Sequence, residues 1–587
     1  MNRVESSTPT AILLTADDAR RFESEQPAVG AIMTLSPVAQ AALSDESRTR
    51  HVREPLSDWS HARITARAHR ATQQFVTALE ASNDLRPGTR HTLRFMFLIH
   101  AYLTARVWET LRQPGPWLWP TGQGWDTTSD RTVALHRLVD HLNPYLDYDR
   151  PPPLRGLYRL LRRLVLRVLR RRGPWLLTRR PNLVFGLDEM LDAEQPPMRR
   201  LMLTLLAHGP REYRNLLHTL KDGLSGKAVL RVAMTAHNAE AARPVIARAL
   251  DQVREPVIAL GVTPKSRAMF LHQGTNCEGL FADALDVLGA IAPRSYVTRQ
   301  DSGKFAVIAD AAGVLGVPRF VINYNSFPVS SSRIANTIQR EMFRVRVPDG
   351  LSDTAVMWSP HMAATARCLY GTDGAVREQA MRLAPTNARR PNGNNRVRRV
   401  LYAGNYMEYY YFVPWVMETS NEFLDDILTL VEHVRALNNV DFTVRVKPKG
   451  ECPPEALRKF IQETDRLHVT GTERPYVEVV TEVDLLVSFS STTIEQAILR
   501  RTPVLLWGPL QRYRHLPGRV TPPTADSRAA VYAVSDAANL SPMISAILDA
   551  HAGYPLTDQE IADHVWPEGT PGVPDIARMI VAGARPQ

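Results

Sequence analysis

The chain has 587 residues, 44% hydrophobic and 22% charged, which excludes a disordered polymer and predicts about three folding units, or two large ones with an insertion. Seventy-one Lys and Arg face sixty Asp and Glu, a net charge of +11, so nucleic acid, anionic lipid or phosphorylated substrates are the partner classes to weigh. The three cysteines, Cys277, Cys368 and Cys452, form no CxxC pair, which argues against a disulfide framework or zinc ribbon and for a reducing compartment.

The first twenty residues lack a basic start followed by an apolar run, and no stretch approaches ~18 consecutive apolar residues. The expectation is a cytoplasmic protein, neither exported by a standard signal nor membrane-spanning. Residues 11–15 and 30–34 pattern as buried strands, and 61–79 and 92–111 as helices.

Between Arg150 and Arg180 stand eleven arginines and no acid, which equals the whole charge excess. As a helix over 154–172, Leu157, Leu160, Leu161, Leu164, Val165 and Val168 share one face; Arg155, Arg159, Arg162, Arg163, Arg167 and Arg170 take the other. Such a helix fits an anionic cytoplasmic membrane surface, as a peripheral attachment, or else packs on the protein with its arginines solvated. Basic character is confined to this segment and no binding motif accompanies it, which argues against nucleic acid.

Further along, strands at 228–235, 294–298 and 319–323 alternate with helices at 239–253 and 304–315. A polar stretch, 384–396, reads as a linker. Alternation then resumes, with strands at 397–402, 441–446, 468–470, 483–489 and 503–507 and helices at 422–437, 454–463 and 493–499. Short loops between alternating elements predict right-handed βαβ units on parallel sheets. The predicted class is α/β with two Rossmann-like doubly wound domains facing a cleft. The first spans 1–383 and carries a helical, arginine-rich insertion at 92–225; the second spans 397–587.

An apolar strand runs into Ser488-Phe-Ser490-Ser491-Thr492-Thr493 and then a helix. Hydroxyl donors beside the free N–H groups of a helix start suit a phosphate without a metal. A simple N-cap would explain one hydroxyl residue more readily than five. Glu495, one turn into the helix, either accepts from ribose hydroxyls or caps the helix start. Arg445, Lys447 and Lys449 end another strand at the same sheet edge, where they neutralise a diphosphate or stay solvated. Gly404 and Asn405 follow the first strand of the domain, and a glycine there permits close approach of a ligand.

These residues resemble the GT-B glycosyltransferases that build bacterial capsule and lipopolysaccharide, with the related teichoic-acid polymerases. Matching segments are Lys447-Pro-Lys-Gly450, Asp484, Ser490-Ser491, Glu495-Gln-Ala497 and Thr502-Pro-Val504. In the first domain they are Arg299-Gln-Asp-Ser-Gly303, Ala311-Ala312, Gly316-Val-Pro318 and the segment from Asp353 to Gly371. The resemblance covers most of 227–508 in order of elements. Two positions depart from it: Asn323-Tyr-Asn325 stands for the family's Gln-His-Gly, and Lys449 for a histidine.

The resemblance implies metal-independent transfer of a sugar from a nucleotide-sugar donor to a lipid-linked or polymeric surface glycan. The donor, with CMP or UDP as the expected nucleotide, would sit on the hydroxyl cluster and Glu495; no separate cofactor is implied. Alternatives are a polyol-phosphate transferase of the teichoic-acid type and a non-catalytic scaffold of the same fold. A base must deprotonate the acceptor hydroxyl. Asp301 is the first candidate, with Glu278 and His272 behind it, each of which also reads as a capping, surface or packed side chain. Gly223-Leu-Ser-Gly-Lys227 lacks Walker spacing, and HExxH and GxSxG are absent, so kinase, metalloprotease and α/β-hydrolase readings fall away. The aromatic run 406–415 could stack on a base or sugar, though core packing explains it as well.

Overall fold

The computed structural model describes residues 8–52, 56–82, 84–112, 115–121, 124–142, 239–291, 293, 295–298, 303–322, 328–343, 351–370, 377–385, 397–404, 419–446, 452–471, 473–572, 575–576 and 579–580, with the backbone of three short strands between 184 and 233. The arginine-rich 154–172 segment, Asp301, Asn405, Lys447, Lys449, the 406–415 run and 386–396 lie outside the described residues.

Three sheets organise the chain. The first contains β1 (Thr10–Leu13), β2 (Ala31–Thr34), β3 (His51–Val52), β4 (Trp117–Thr121) and β5 (Gly124–Thr128), in the order β3-β2-β1-β4-β5. It is parallel except for the β4–β5 pair. The second runs β12-β11-β10-β9-β6-β7-β8, from β6 (Val184–Gly186), β7 (Met202–Leu206), β8 (Val232–Ala233), β9 (Ser295–Thr298), β10 (Arg319–Ile322), β11 (Thr354–Met357) and β12 (Arg377–Ala380). The third runs β15-β14-β13-β16-β17-β18, from β13 (Arg398–Gly404), β14 (Val440–Val446), β15 (Leu467–Thr470), β16 (Leu485–Ser488), β17 (Val504–Leu506) and β18 (Val531–Ala533). Every pair in the second and third sheets is parallel.

Numbered from its own first strand, each of these two sheets has the order 3-2-1-4-5-6, the second adding one edge strand. This is the doubly wound α/β architecture the sequence predicts, and each sheet reverses direction next to its first strand. Local chemistry starts the helices: Thr15 with Asp18, Thr419 with Glu422 and Thr557 with Glu560 form capping boxes, and Pro87, Pro256 and Pro454 occupy first-turn positions.

The described parts of the 92–225 span are not set apart from the rest of the fold. Pro87–Thr110 is a helix buried on nearly every side, as its apolar character all round requires. The Gly88 N–H donates to Asp310 Oδ2 at 3.1 Å and Thr92 Oγ1 to the Gly303 carbonyl at 3.1 Å, while β6 and β7 pair into the second sheet. Nor does everything after 397 belong with the third sheet. The chain end returns to the second: the Arg382 N–H donates to the Pro571 carbonyl at 2.8 Å and Ser295 Oγ to that of Ile580 at 2.7 Å. Ile576 and Ile580 pack with Val297, Phe320, Ile322 and Val356, apolar side chains that otherwise would leave one sheet face wet.

Candidate functional site

Parallel sheets bring chemistry to the carboxyl ends of their strands, above all where the strand order reverses. In the third sheet that place lies between β13 and β16, where Tyr402 pairs with Val487. The β13 end supplies Gly404 and the β16 end supplies Ser488 to Thr493. The loop from Gly508 to Leu516 descends from the neighbouring β17. Gly508 has φ 146°, and a Cβ there would lie 2.8 Å from the Phe489 ring, so both backbone and close approach demand glycine.

The hydroxyl residues divide into different tasks. Ser488, fully buried, donates to the Ala403 carbonyl at 2.8 Å and ties β16 to β13. Ser491 Oγ accepts from the Thr493 N–H at 3.3 Å. Thr492 precedes the Thr493–Leu499 helix without a side-chain cap bond. The Thr493 hydroxyl is buried with no hydrogen-bond partner among the described residues, while its carbonyl accepts from Tyr476 at 2.8 Å.

Ser490 and Glu495 converge on a residue that sequence reasoning did not single out. Ser490 Oγ lies 3.0 Å from His515 Nδ1, and His515 Nε2 lies 3.0 Å from Glu495 Oε1. All three side chains are buried. The His515 carbonyl accepts from His361 Nε2 at 2.8 Å, with Thr365 Oγ1 3.3 Å from the same nitrogen. Burial pulls His361 down to about 4, so its ring stays neutral near pH 7. The loop is further seamed to the second sheet's body by paired Val329 and Arg514 main chains, 2.9 Å in each direction. Glu495 therefore turns one carboxylate oxygen onto His515.

Other expected residues are placed differently. Arg445 is buried and donates through Nη2 to the Arg474 carbonyl at 2.6 Å. The Gly404 Cα faces the ring of Tyr402, 2.7 Å from where a Cβ would stand, so packing alone requires that glycine. His272 and Glu278 share the Pro264–Ile291 helix. Six residues at about 100° per residue set them roughly a third of a turn apart around the helix axis. Glu278 accepts the Arg86 N–H at 2.8 Å, holding the start of the buried helix, and His272 Nε2 meets Asn276 Nδ2 at 2.8 Å. In this structure both side chains are thus engaged by the protein's own groups.

The same sheet edge carries an ion cluster. Glu422, in the first turn of Ser420–Arg435, pairs with Arg512 at 2.8 Å and lies 4.0 Å from His61. Burial acts against its charge, but Arg512 prevails and holds the carboxyl below its usual range. Asp426, one turn on, is pushed up to about 7 by burial and then by Glu422 and Asp425. The run Arg512-Tyr-Arg-His515 directly after β17 was the available signal for both clusters, since every carboxyl end in a parallel sheet meets at one edge. Among the described residues no group of three His, Cys, Asp or Glu could hold a metal ion.

No family model and no curated protein matches the chain. Among solved structures it is similar to Neisseria meningitidis UDP-GlcNAc 2-epimerase bound to UDP-GlcNAc, at 11% identity over 68% of this chain and 97% of that one, TM-score 0.38. It is similar to Acinetobacter baumannii MurG at 9% identity, over 68% and 98%, TM-score 0.36. Spinosyn rhamnosyltransferase SpnG complexed with thymidine diphosphate gives 14%, over 68% and 99%, TM-score 0.35.

Proposed function

We propose that this protein is a glycosyltransferase of GT-B organisation that takes a nucleotide-sugar donor on its third sheet and an acceptor on its second. The observation that carries the reading is the reversal of strand order between β13 and β16, which sets the hydroxyl-rich turn 490–493 where doubly wound sheets bind ligands. Among the described residues no other side chain holds the hydroxyls of Ser491, Thr492 and Thr493, and they would meet the donor phosphate with main-chain N–H groups. The second sheet's body, seamed to this edge through His361 and Val329, presents the acceptor hydroxyl. A lipid-linked or polymeric glycan is the acceptor class, with the 154–172 arginine segment drawing the enzyme to an anionic membrane surface.

Calorimetry of the full chain against UDP-, CDP-, GDP- and TDP-sugars and CMP-linked sugars tests the reading, with the expectation that one class binds. Ser491→Ala with Thr493→Val should then weaken that binding by roughly 1–3 kcal/mol if both hydroxyls reach phosphate. Unchanged affinity in the folded double variant removes the placement. A glycosyltransferase leaves the donor's phosphate on the nucleotide; appearance of labelled phosphate in the product would instead establish a polyol-phosphate transferase.

A further inference from the structure

We propose that the corner of the fold built from the helices Asp58–Glu80, Pro87–Thr110 and Arg131–Leu142 is a docking face for an anionic lipid surface. The inference deepens the membrane part of the proposed function and rests on it, but no residue of the 154–172 segment belongs to the face. Its basis is an exposed tryptophan set beside more arginines than the local carboxylates neutralise.

Trp59, Arg63, Arg67 and Arg70 recur at helical spacing and form one stripe along Asp58–Glu80. Two buried glutamates face the arginines, each shared by two of them. Glu109 takes Arg63 at 2.6 Å and Arg112 at 3.9 Å; Glu255 takes Arg67 at 3.0 Å and Arg70 at 3.7 Å. One carboxylate cancels one guanidinium, so the more distant arginine of each set is in surplus. Those two, Arg70 and Arg112, are also the outer ones, 59% and 54% exposed. Arg131 stands within electrostatic reach of Glu109, Arg112 and Arg67, and Arg254, exposed beside Glu255, donates to the Asp251 carbonyl. Of the neighbouring carboxylates, Asp130 accepts the Thr132 and Val133 N–H groups at the start of its helix. Asp251 holds Arg267 by two bonds, at 2.7 and 3.1 Å.

Trp59 is 66% exposed, with the Arg63 guanidinium 3.8 Å from its ring centre; Arg131 sits in the same way 3.6 Å over Trp108. A tryptophan ring is ordinarily well buried. Amphipathic rings beside guanidinium groups suit the headgroup layer of a bilayer, where the ring lies at the boundary and the cation meets lipid phosphate. Aliphatic side chains separate this occupant from a nucleic acid. Val133, two residues beyond Arg131, and Leu260, whose carbonyl lies 2.7 Å from His136 Nε2, are exposed in the same corner. They gain nothing from a phosphodiester backbone but leave water on entering a lipid interface. One interfacial contact is a weak, reversible anchor, whereas two on the same surface multiply, so this face and the arginine segment each depend on the other.

The test is sedimentation of the full chain with phosphatidylcholine vesicles, with and without phosphatidylserine, and quenching of its tryptophan emission by brominated lipid in the same vesicles. The native chain should bind the phosphatidylserine vesicles alone, more weakly as salt rises, and lose part of its emission to the bromines. That quenched part should fall in Trp59→Phe. Arg70→Gln, Arg112→Gln and Arg254→Gln together should weaken vesicle binding by roughly fivefold for each arginine near the surface, and so by more than about tenfold in all. If the native chain binds no vesicle, the membrane reading fails and the inference with it. If it binds but the folded triple variant binds as tightly, or Trp59→Phe leaves quenching unchanged, the face is no lipid contact and the membrane reading stands on the arginine segment alone. Tighter binding of a single-stranded oligonucleotide than of the vesicles, lost in the triple variant, overturns the choice of occupant. Should the triple variant not fold, the quenching comparison decides alone.

Discussion

Asp426 illustrates how position alone sets a protonation state. Its carboxyl is buried beside two like charges, while Arg512 is taken up by Glu422. A folded-state value near 7, above the ordinary value for Asp, means that the folded protein binds more protons than the unfolded chain between about pH 4 and 7. Its contribution is fully present at the acid end and is lost as pH rises through 7. Asp426→Asn should therefore raise stability at pH 8 by roughly 1–3 kcal/mol and change little at pH 4; urea unfolding at the two pH values checks it. Gly508 is the other residue whose identity the fold dictates. Gly508→Ala should cost about 1–3 kcal/mol, because a left-handed φ and the Phe489 ring both oppose a Cβ. Since the loop holds His515, on the proposed function the same variant should also weaken binding of a nucleotide sugar, and a thermal melt with and without that ligand separates the two effects. Ser488 to Glu495 were legible in the sequence as a cluster, because five hydroxyls at a strand-to-helix turn exceed what capping needs. Their partner was not: His515 lies 25 residues from Ser490 and reaches it only through the loop after β17.

At the level of elements, strands and short helices of the third sheet were readable from periodicity, and β13, β14, β16 and β17 fall within a few residues of the predicted positions. The 28-residue helix Pro264–Ile291 was not. It is flanked by the Arg243–Asp251 and Lys304–Val314 helices and the buried Pro87–Thr110 helix. Its apolar residues therefore do not form one stripe, and it contains Gly274 and Gly289, which read as breaks. The predicted helix at 454–463 shortens to Pro454–Leu457, where the Lys459, Phe460 and Ile461 N–H groups close tight turns instead. The returning chain end escaped prediction because contacts between residues 571–580 and strands some 250 residues earlier leave no local pattern. Ile576→Ala should cost about 2–4 kcal/mol, as for other fully buried large-to-small changes. Denaturant unfolding measures the loss; a cost below 0.5 kcal/mol, roughly that of a surface change, would show the chain end to be an ornament of the second sheet rather than part of its core.

For the molecule as a whole, the charge excess and the fold concern different parts of the chain. The arginines of 150–180 equal the entire net charge, and among the described residues no helix is long and apolar enough to cross a membrane. If the segment is a membrane attachment, replacing Arg159, Arg162, Arg163 and Arg170 with Gln should abolish sedimentation with anionic liposomes and leave the affinity of the proposed donor site intact, because attraction to lipid phosphate depends on those charges and the proposed site does not. Persistent sedimentation would assign the segment another role. The sequence by itself determined the α/β class, the two doubly wound sheets and the hydroxyl turn, since these follow from short-range alternation and from residue types at strand ends. Tertiary structure alone decided the separate first sheet, the crossing of the chain end to the second, and the joining of Ser490, Glu495, His515 and His361 into one network. Those depend on which distant segments share a core, and burial, which makes a paired serine, histidine and glutamate different from three isolated ones, exists only once that core has formed.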